Sequence, residues 1–217
     1  MNKNTLIKMA MIVVLSTASM WAGFKLSQLL DRESGAVPII EGTILNPPRQ
    51  ISKFELMDQR RHEFGPDQLA GKWSLIFIGY TNCPDVCPNT LSVLKQAYID
   101  MTVLKMELPQ VVFVSIDPQR DDAEILGDYV YYFDPSFVAV TGKKAELDNL
   151  SKQLSSVYLK AAGASGDIKK DDYLFDHSAS VLVINPKAQL QAVFTAPHNK
   201  LGIVDGMQKI MAFYNKR

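Results

Sequence analysis

Ser74-Leu-Ile-Phe-Ile-Gly79-Tyr-Thr-Asn-Cys83-Pro-Asp-Val-Cys87-Pro-Asn89 decides the reading of this chain, because it runs from an apolar strand straight into a pair of cysteines. An apolar run with no polar alternation is what a strand covered on both faces requires. Downstream, Leu91, Leu94, Tyr98, Met101 and Leu104 recur at helical spacing, which predicts a helix over 89–106. The cysteines therefore lie between the carboxyl end of a buried strand and the start of a helix. Ligand sites of open α/β sheets gather at such strand ends, and a helix N-terminus stabilises a thiolate.

Outward from this point the alternation continues. Residues 54–57, 73–80, 111–117 and 137–141 read as strands, and 123–133 and 144–156 as helices. Residues 180–185 and 189–195 form a hairpin around a turn at 186–188, and 200–214 a closing helix. Helices alternating with strands before a terminal hairpin describe an α/β sandwich of thioredoxin type, a central mixed sheet flanked by helices. The stretch 160–172, rich in Gly, Ser and charge, reads as a surface excursion.

The 217 residues carry 23 basic and 23 acidic groups, are 47% apolar and include two cysteines. This composition excludes a disordered chain, a disulfide-scaffolded miniprotein and a four-thiolate zinc site, and gives no basic field for nucleic acid. Residues 9–24 are uncharged and flanked by Lys8 and Lys25, and the apolar character continues through Leu26, Leu29 and Leu30. Such a helix reaches across a bilayer once the lysines snorkel outward. The reading is a cytoplasmic N-terminus over 1–7, a transmembrane anchor or uncleaved signal over 8–30, a tether over 31–52 and a domain over 53–217. A cleaved signal is the rival, with Ser16 and Ala18 as its small-residue pair; Trp21 and the following leucines favour retention. Positive residues before the apolar run stay in the cytoplasm, so the domain is expected in an oxidising space such as the periplasm.

What the cysteines do follows from their spacing. A disulfide closing a five-residue loop adds only about 2 kcal/mol of chain-entropy stabilisation, and helical positions four apart hold Cβ atoms about 5–6 Å apart rather than about 3.5–4.5 Å. Two thiolates on one metal stay well apart, so the pair suits chelation and permits reversible oxidation. A closed zinc site needs four Cys or His ligands, and with three histidines in the chain it requires His177 together with His62 or His198. Two soft thiolates and one imidazole suit copper. His177, in the approach to the strand at 180–185, faces the cysteine loop in this topology. His62 sits in a polar turn and reads as solvated, while His198 is at most an auxiliary ligand. Asp117 and Asp176 are candidates for orienting the ligands. A thiol-disulfide reductase needs only the cysteines, and a peroxidase needs one attacking cysteine with an arginine such as Arg120.

Three motifs in order, Gly79-Tyr-Thr-Asn-Cys83-Pro-Asp-Val-Cys87-Pro, Val114-Ser-Ile-Asp-Pro-Gln-Arg-Asp121 and Asp176-His-Ser178, resemble the Sco/SenC family of membrane-tethered copper-binding proteins over about 54–214. The resemblance implies a thioredoxin-like fold, with copper held by Cys83, Cys87 and His177. It also implies a role in assembling the dinuclear copper centre of cytochrome c oxidase subunit II. Thiol reduction of that subunit's cysteines, and exchange with another copper chaperone or thiol-disulfide protein, belong to the same implication. Departures are Asp122 in place of Thr, Ala139-Val140 in place of Gly-Leu, and Lys187-Ala188 in place of a hairpin glycine; none is a ligand. Thioredoxin-like oxidoreductases hold a proline opposite their cysteines, whereas no proline lies between Pro135 and Pro186 here, and His177 stands in that region.

Overall fold

The computed structural model describes residues 3–33, 37–163, 166 and 172–216. Helix α1 (Lys3–Glu33) belongs to a unit of its own, Met1–Val37, and the rest of the chain, Pro38–Arg217, forms the second. On α1 the side chains of Ile12, Val13, Val14, Leu15, Met20, Trp21 and Phe24 are exposed. No helix among the described residues is long and apolar enough to cross a membrane. The expected anchor over 8–30 includes Lys8, Ala10 and 27–30, whose side chains lie outside the described residues.

The second unit is built on β4 (Ser74–Gly79), all six of whose residues are buried. It pairs in parallel with β5 (Gln110–Ser115), joined through α3 (Val86–Val103), and β5 pairs in parallel with β6 (Val138–Thr141), joined through α4 (Ala123–Phe133). After α5 (Lys144–Gln153), β9 (Val181–Asn185) runs antiparallel to β4, and β10 (Gln189–Phe194) folds back on β9. The edges are β1 (Gly42–Gln50) on β10 and, beyond β6, β2 (Leu56–Asp58) and β3 (Glu63–Phe64), the latter preceding a short helix α2 (Pro66–Leu69). The eight-stranded order is β1-β10-β9-β4-β5-β6-β2-β3, and α6 (Lys200–Tyr214) packs on α3. The architecture is the mixed α/β sheet with helices expected from the sequence.

Local chemistry sets the boundaries. The Asp122 side chain accepts from the Glu124 and Ile125 amides, both at 2.9 Å, so α4 starts at Ala123; Asn199 accepts from Gly202 at 2.8 Å and starts α6. Helix α3 begins at Val86 rather than at Asn89, because Pro88 falls in the first turn, where its missing N–H has no helical acceptor to lose. Residues 42–50, expected within the tether, are instead β1: Thr43 and Ile44 pair with β10, and the register slips before Arg49 where Pro47 and Pro48 interrupt the ladder. A separate hairpin, β7 (Tyr158–Ala161) and β8 (Leu174–His177), stands beside the main sheet. Its strands flank the expected excursion, of which 164–165 and 167–171 lie outside the described residues.

Candidate metal centre

Strand β4 ends at Gly79, and a turn closed by the Cys83 amide donating to the Tyr80 carbonyl (3.3 Å) delivers Cys83 ahead of α3. Cys87 lies in the first turn of α3 and faces the core. The two thiols are not bonded to each other. Placing one cysteine before the helix and the other within it replaces the all-helical spacing considered from sequence, and it brings both sulfurs to one side.

A β-carbon added at Gly79 would fall 2.5 Å from the Cys87 sulfur and 2.9 Å from the Phe113 ring, so only hydrogen fits there. Gly79→Ala is therefore expected to displace Cys87 and weaken metal binding at least tenfold, with overpacking of about 1–3 kcal/mol. Metal titration alongside urea denaturation checks this; an alanine variant with unchanged affinity would show that the sulfur has room to spare.

The histidine arm is β8. Alternation along the strand points Phe175 and His177 to one face, and register pairs His177 with Tyr158. Phe175 anchors the hairpin through edge contacts to Tyr80 (5.3 Å) and Tyr158 (6.0 Å), and the His177 ring stands edge-on to Tyr80 and Phe77, both at 6.0 Å. Its Nδ1 lies 3.2 Å from the Ser178 carbonyl. A carbonyl only accepts, so Nδ1 carries the proton and the Nε2 lone pair is left for another partner. That nitrogen is 3.4 Å from the Cys87 sulfur and 4.0 Å from the Cys83 sulfur. All three donor atoms lie within 4.8 Å of one another.

The metal-free pair shares its protons unequally. Cys83 keeps 9% exposure and Cys87 none. The Cys87 S–H donating to the Cys83 sulfur pulls the Cys83 pKa down to about 3 against the opposing effect of burial, helped by His177 and by the Cys87 and Asp85 backbone amides. Cys87 is pushed up, chiefly because its proton is held in that same bond and then by burial. Iodoacetamide should accordingly modify Cys83 at a nearly constant rate from about pH 8 to about pH 4, whereas an ordinary thiol slows roughly tenfold per unit there. A metal entering this site displaces the proton of Cys87, so affinity falls as pH falls. A Cys83 rate that drops steadily between about pH 8 and 6 would contradict this arrangement.

The other singled-out residues sit as follows. His62 is exposed, 3.5 Å from the Asp58 carboxylate, and His198 Nε2 lies 2.6 Å from the Ala179 carbonyl; neither joins the three-donor group. Asp117 is buried and accepts from the Tyr173 hydroxyl (2.6 Å) and from the Arg120 guanidinium. Arg120 also donates to the Tyr173 carbonyl (3.0 Å) and stacks on its ring. Asp176 is exposed on the face of β8 opposite His177, so the partner of Nδ1 is the Ser178 carbonyl rather than either aspartate. Gly79 and Asp121 were missed from sequence; the signal for Asp121 is a polar cluster directly after a buried strand.

Chemically, two sulfurs and one imidazole nitrogen within a few ångströms, walled by aromatic rings, form a soft, low-coordinate donor set. A family profile described as SCO1/SenC matches residues 43–212, which include all three donors. The chain belongs to the SCO1/SenC family. A relative from Stutzerimonas stutzeri described as a copper-binding protein is 32% identical over 168 residues, covering 77% of this chain and 78% of its own. Among solved structures, Arabidopsis thaliana ScoI with copper bound superposes with a TM-score of 0.69 at 27% identity, covering 74% of this chain and 97% of that one. Yeast Sco1 with copper bound gives 0.68 at 28% identity, over 76% and 90%. The SCO1/SenC fold thus accounts for the thioredoxin-like sheet seen here.

Proposed function

We propose that this SCO1/SenC protein binds one copper ion through Cys83, Cys87 and His177 and serves as a metallochaperone. The observation that carries the proposal is the convergence of the two sulfurs and Nε2 within 4.8 Å, in a family whose Arabidopsis and yeast members have been solved with copper. The donor set supports the choice of metal. Two thiolates suffice for Cu(I), and the imidazole adds the ligand that Cu(II) favours.

The recipient is the dinuclear copper centre of cytochrome c oxidase subunit II, and another copper chaperone or thiol-disulfide protein is a further partner. The N-terminal helix holds the domain at the inner membrane with the metal centre in the periplasm. The uncharged run 9–24 and its exposed apolar side chains support that address.

A second reading, reduction of the recipient's cysteines, is favoured by the unbonded dithiol and the low pKa of Cys83. The two activities separate on His177. Protein loaded with Cu(II) and mixed with the metal-free periplasmic domain of subunit II should lose its copper to that domain, and His177→Ala should abolish this Cu(II) transfer while leaving thiol reduction intact. Transfer undiminished by that substitution, or no transfer from the unaltered protein, contradicts the metallochaperone reading.

A further inference from the structure

Asp121 is fully buried, at 0% exposure, and its carboxyl oxygens face three donors. One oxygen accepts from the Thr81 hydroxyl at 2.5 Å, and the other from the Thr81 amide at 2.9 Å and the Ser115 hydroxyl at 2.5 Å. Both donors of Thr81 are thus taken by one side chain. Thr81 is two residues before Cys83, between the carboxyl end of β4 and the thiols, while Ser115 is the last residue of β5. The same short segment holds the other arm of the centre. Asp117 and Arg120 bind the hydroxyl and the carbonyl of Tyr173, the residue that leads into β8 and His177.

We propose that Asp121 is a positioning residue of the metal centre: by gripping Thr81 it fixes the cysteine turn relative to the histidine hairpin and so sets the sulfur-to-imidazole geometry that a metal meets. The inference rests on Cys83, Cys87 and His177 being the metal donors. A buried carboxyl group left without partners is costly; here both oxygens accept, and two of the three bonds go to the turn carrying a ligand. Isolated turns such as 80–85 sample many conformations, and each bond to a rigid strand end removes some of them. Ligands held in one geometry bind a metal more tightly than the same ligands on a loose turn.

The test uses the full chain with Thr81→Val, which keeps the side chain's shape and removes its hydroxyl, Thr81→Ser, which restores the hydroxyl, and Asp121→Ala. Peptide-level hydrogen exchange over 80–87 is measured without metal; the Cu(II)–thiolate absorption band and Cu(II) affinity are measured by titration with CuCl2. Thr81→Val should speed exchange over 80–87, shift the band and weaken Cu(II) by about tenfold. Thr81→Ser should match the unaltered protein in all three, and Asp121→Ala, where it folds, should equal or exceed the valine variant. A valine variant with unaltered exchange, band and affinity overturns the proposal, even if its urea midpoint falls, because a merely structural tie would move the midpoint alone. Failure of the unaltered protein to bind copper would instead strike the metallochaperone reading, and the metal-free exchange comparison would still decide whether Asp121 holds the turn.

Discussion

His177→Ala should lower Cu(II) affinity by at least about 100-fold and erase most of the Cu(II)–thiolate absorption, while Cu(I) binding falls much less. The asymmetry follows from the donor set. Cu(I) is satisfied by two sulfurs, whereas Cu(II) needs the nitrogen that His177 presents at 3.4 Å and 4.0 Å from them. The variant is expected to stay folded, since the hairpin is anchored by Phe175 on Tyr80 and by Tyr173 on Asp117, and neither contact involves the imidazole. Competition titrations with a chromophoric chelator, run separately for the two oxidation states, supply the comparison. Equal losses for both would mean that the histidine holds the site open without acting as a ligand.

Phe77→Ala carries the largest expected cost in stability. Phe77 is fully buried in β4, its ring centroid lies 6.2 Å from that of Phe113, and its edge contact with His177 forms one wall of the metal centre. Removing a buried phenyl ring costs about 3–5 kcal/mol, which for a domain of this size lowers Tm by roughly 10 °C. Copper affinity should fall as well, since the imidazole loses a surface that fixes its tilt. Thermal unfolding followed by circular dichroism measures the first effect and metal titration the second. A loss under about 1 kcal/mol would show that the ring does not carry the packing assigned to it.

Elements whose ends are written in side-chain chemistry were legible from the sequence. Helices α4 and α6 begin where Asp122 and Asn199 cap them, and the unbroken apolar runs of β4 and β5 announced a sheet covered on both faces. The cysteine pair was legible because its chemistry is local. Hairpin β7–β8 was not, for its strands are four residues each, Tyr158-Leu-Lys-Ala161 and Leu174-Phe-Asp-His177, and neither shows the polar–apolar alternation that marks a half-buried strand. His177, which the sequence puts in the approach to the strand at 180–185, closes a strand of its own, and Asp176, a candidate for orienting the ligands, is turned away from the ring by the alternation of that strand. Strand β1 was hidden by Pro47 and Pro48, which read as a linker until the slipped register with β10 accommodates them. Gly79 and Asp121 act through distances between elements far apart in sequence. No periodicity reports that a β-carbon would strike a sulfur, or that a carboxyl group after β5 reaches back to the turn after β4.

The cysteine turn and the histidine hairpin are separate pieces of chain that meet at one point, and the functional account depends on a metal joining them there. X-ray absorption at the copper K-edge, on the full chain loaded with one equivalent of Cu(I) or Cu(II) under anaerobic conditions, tests this most directly. The account predicts two sulfur scatterers and one imidazole nitrogen around Cu(II), with the nitrogen signal lost in His177→Ala. A first shell of oxygen and nitrogen alone, or a spectrum unchanged by that substitution, would contradict it.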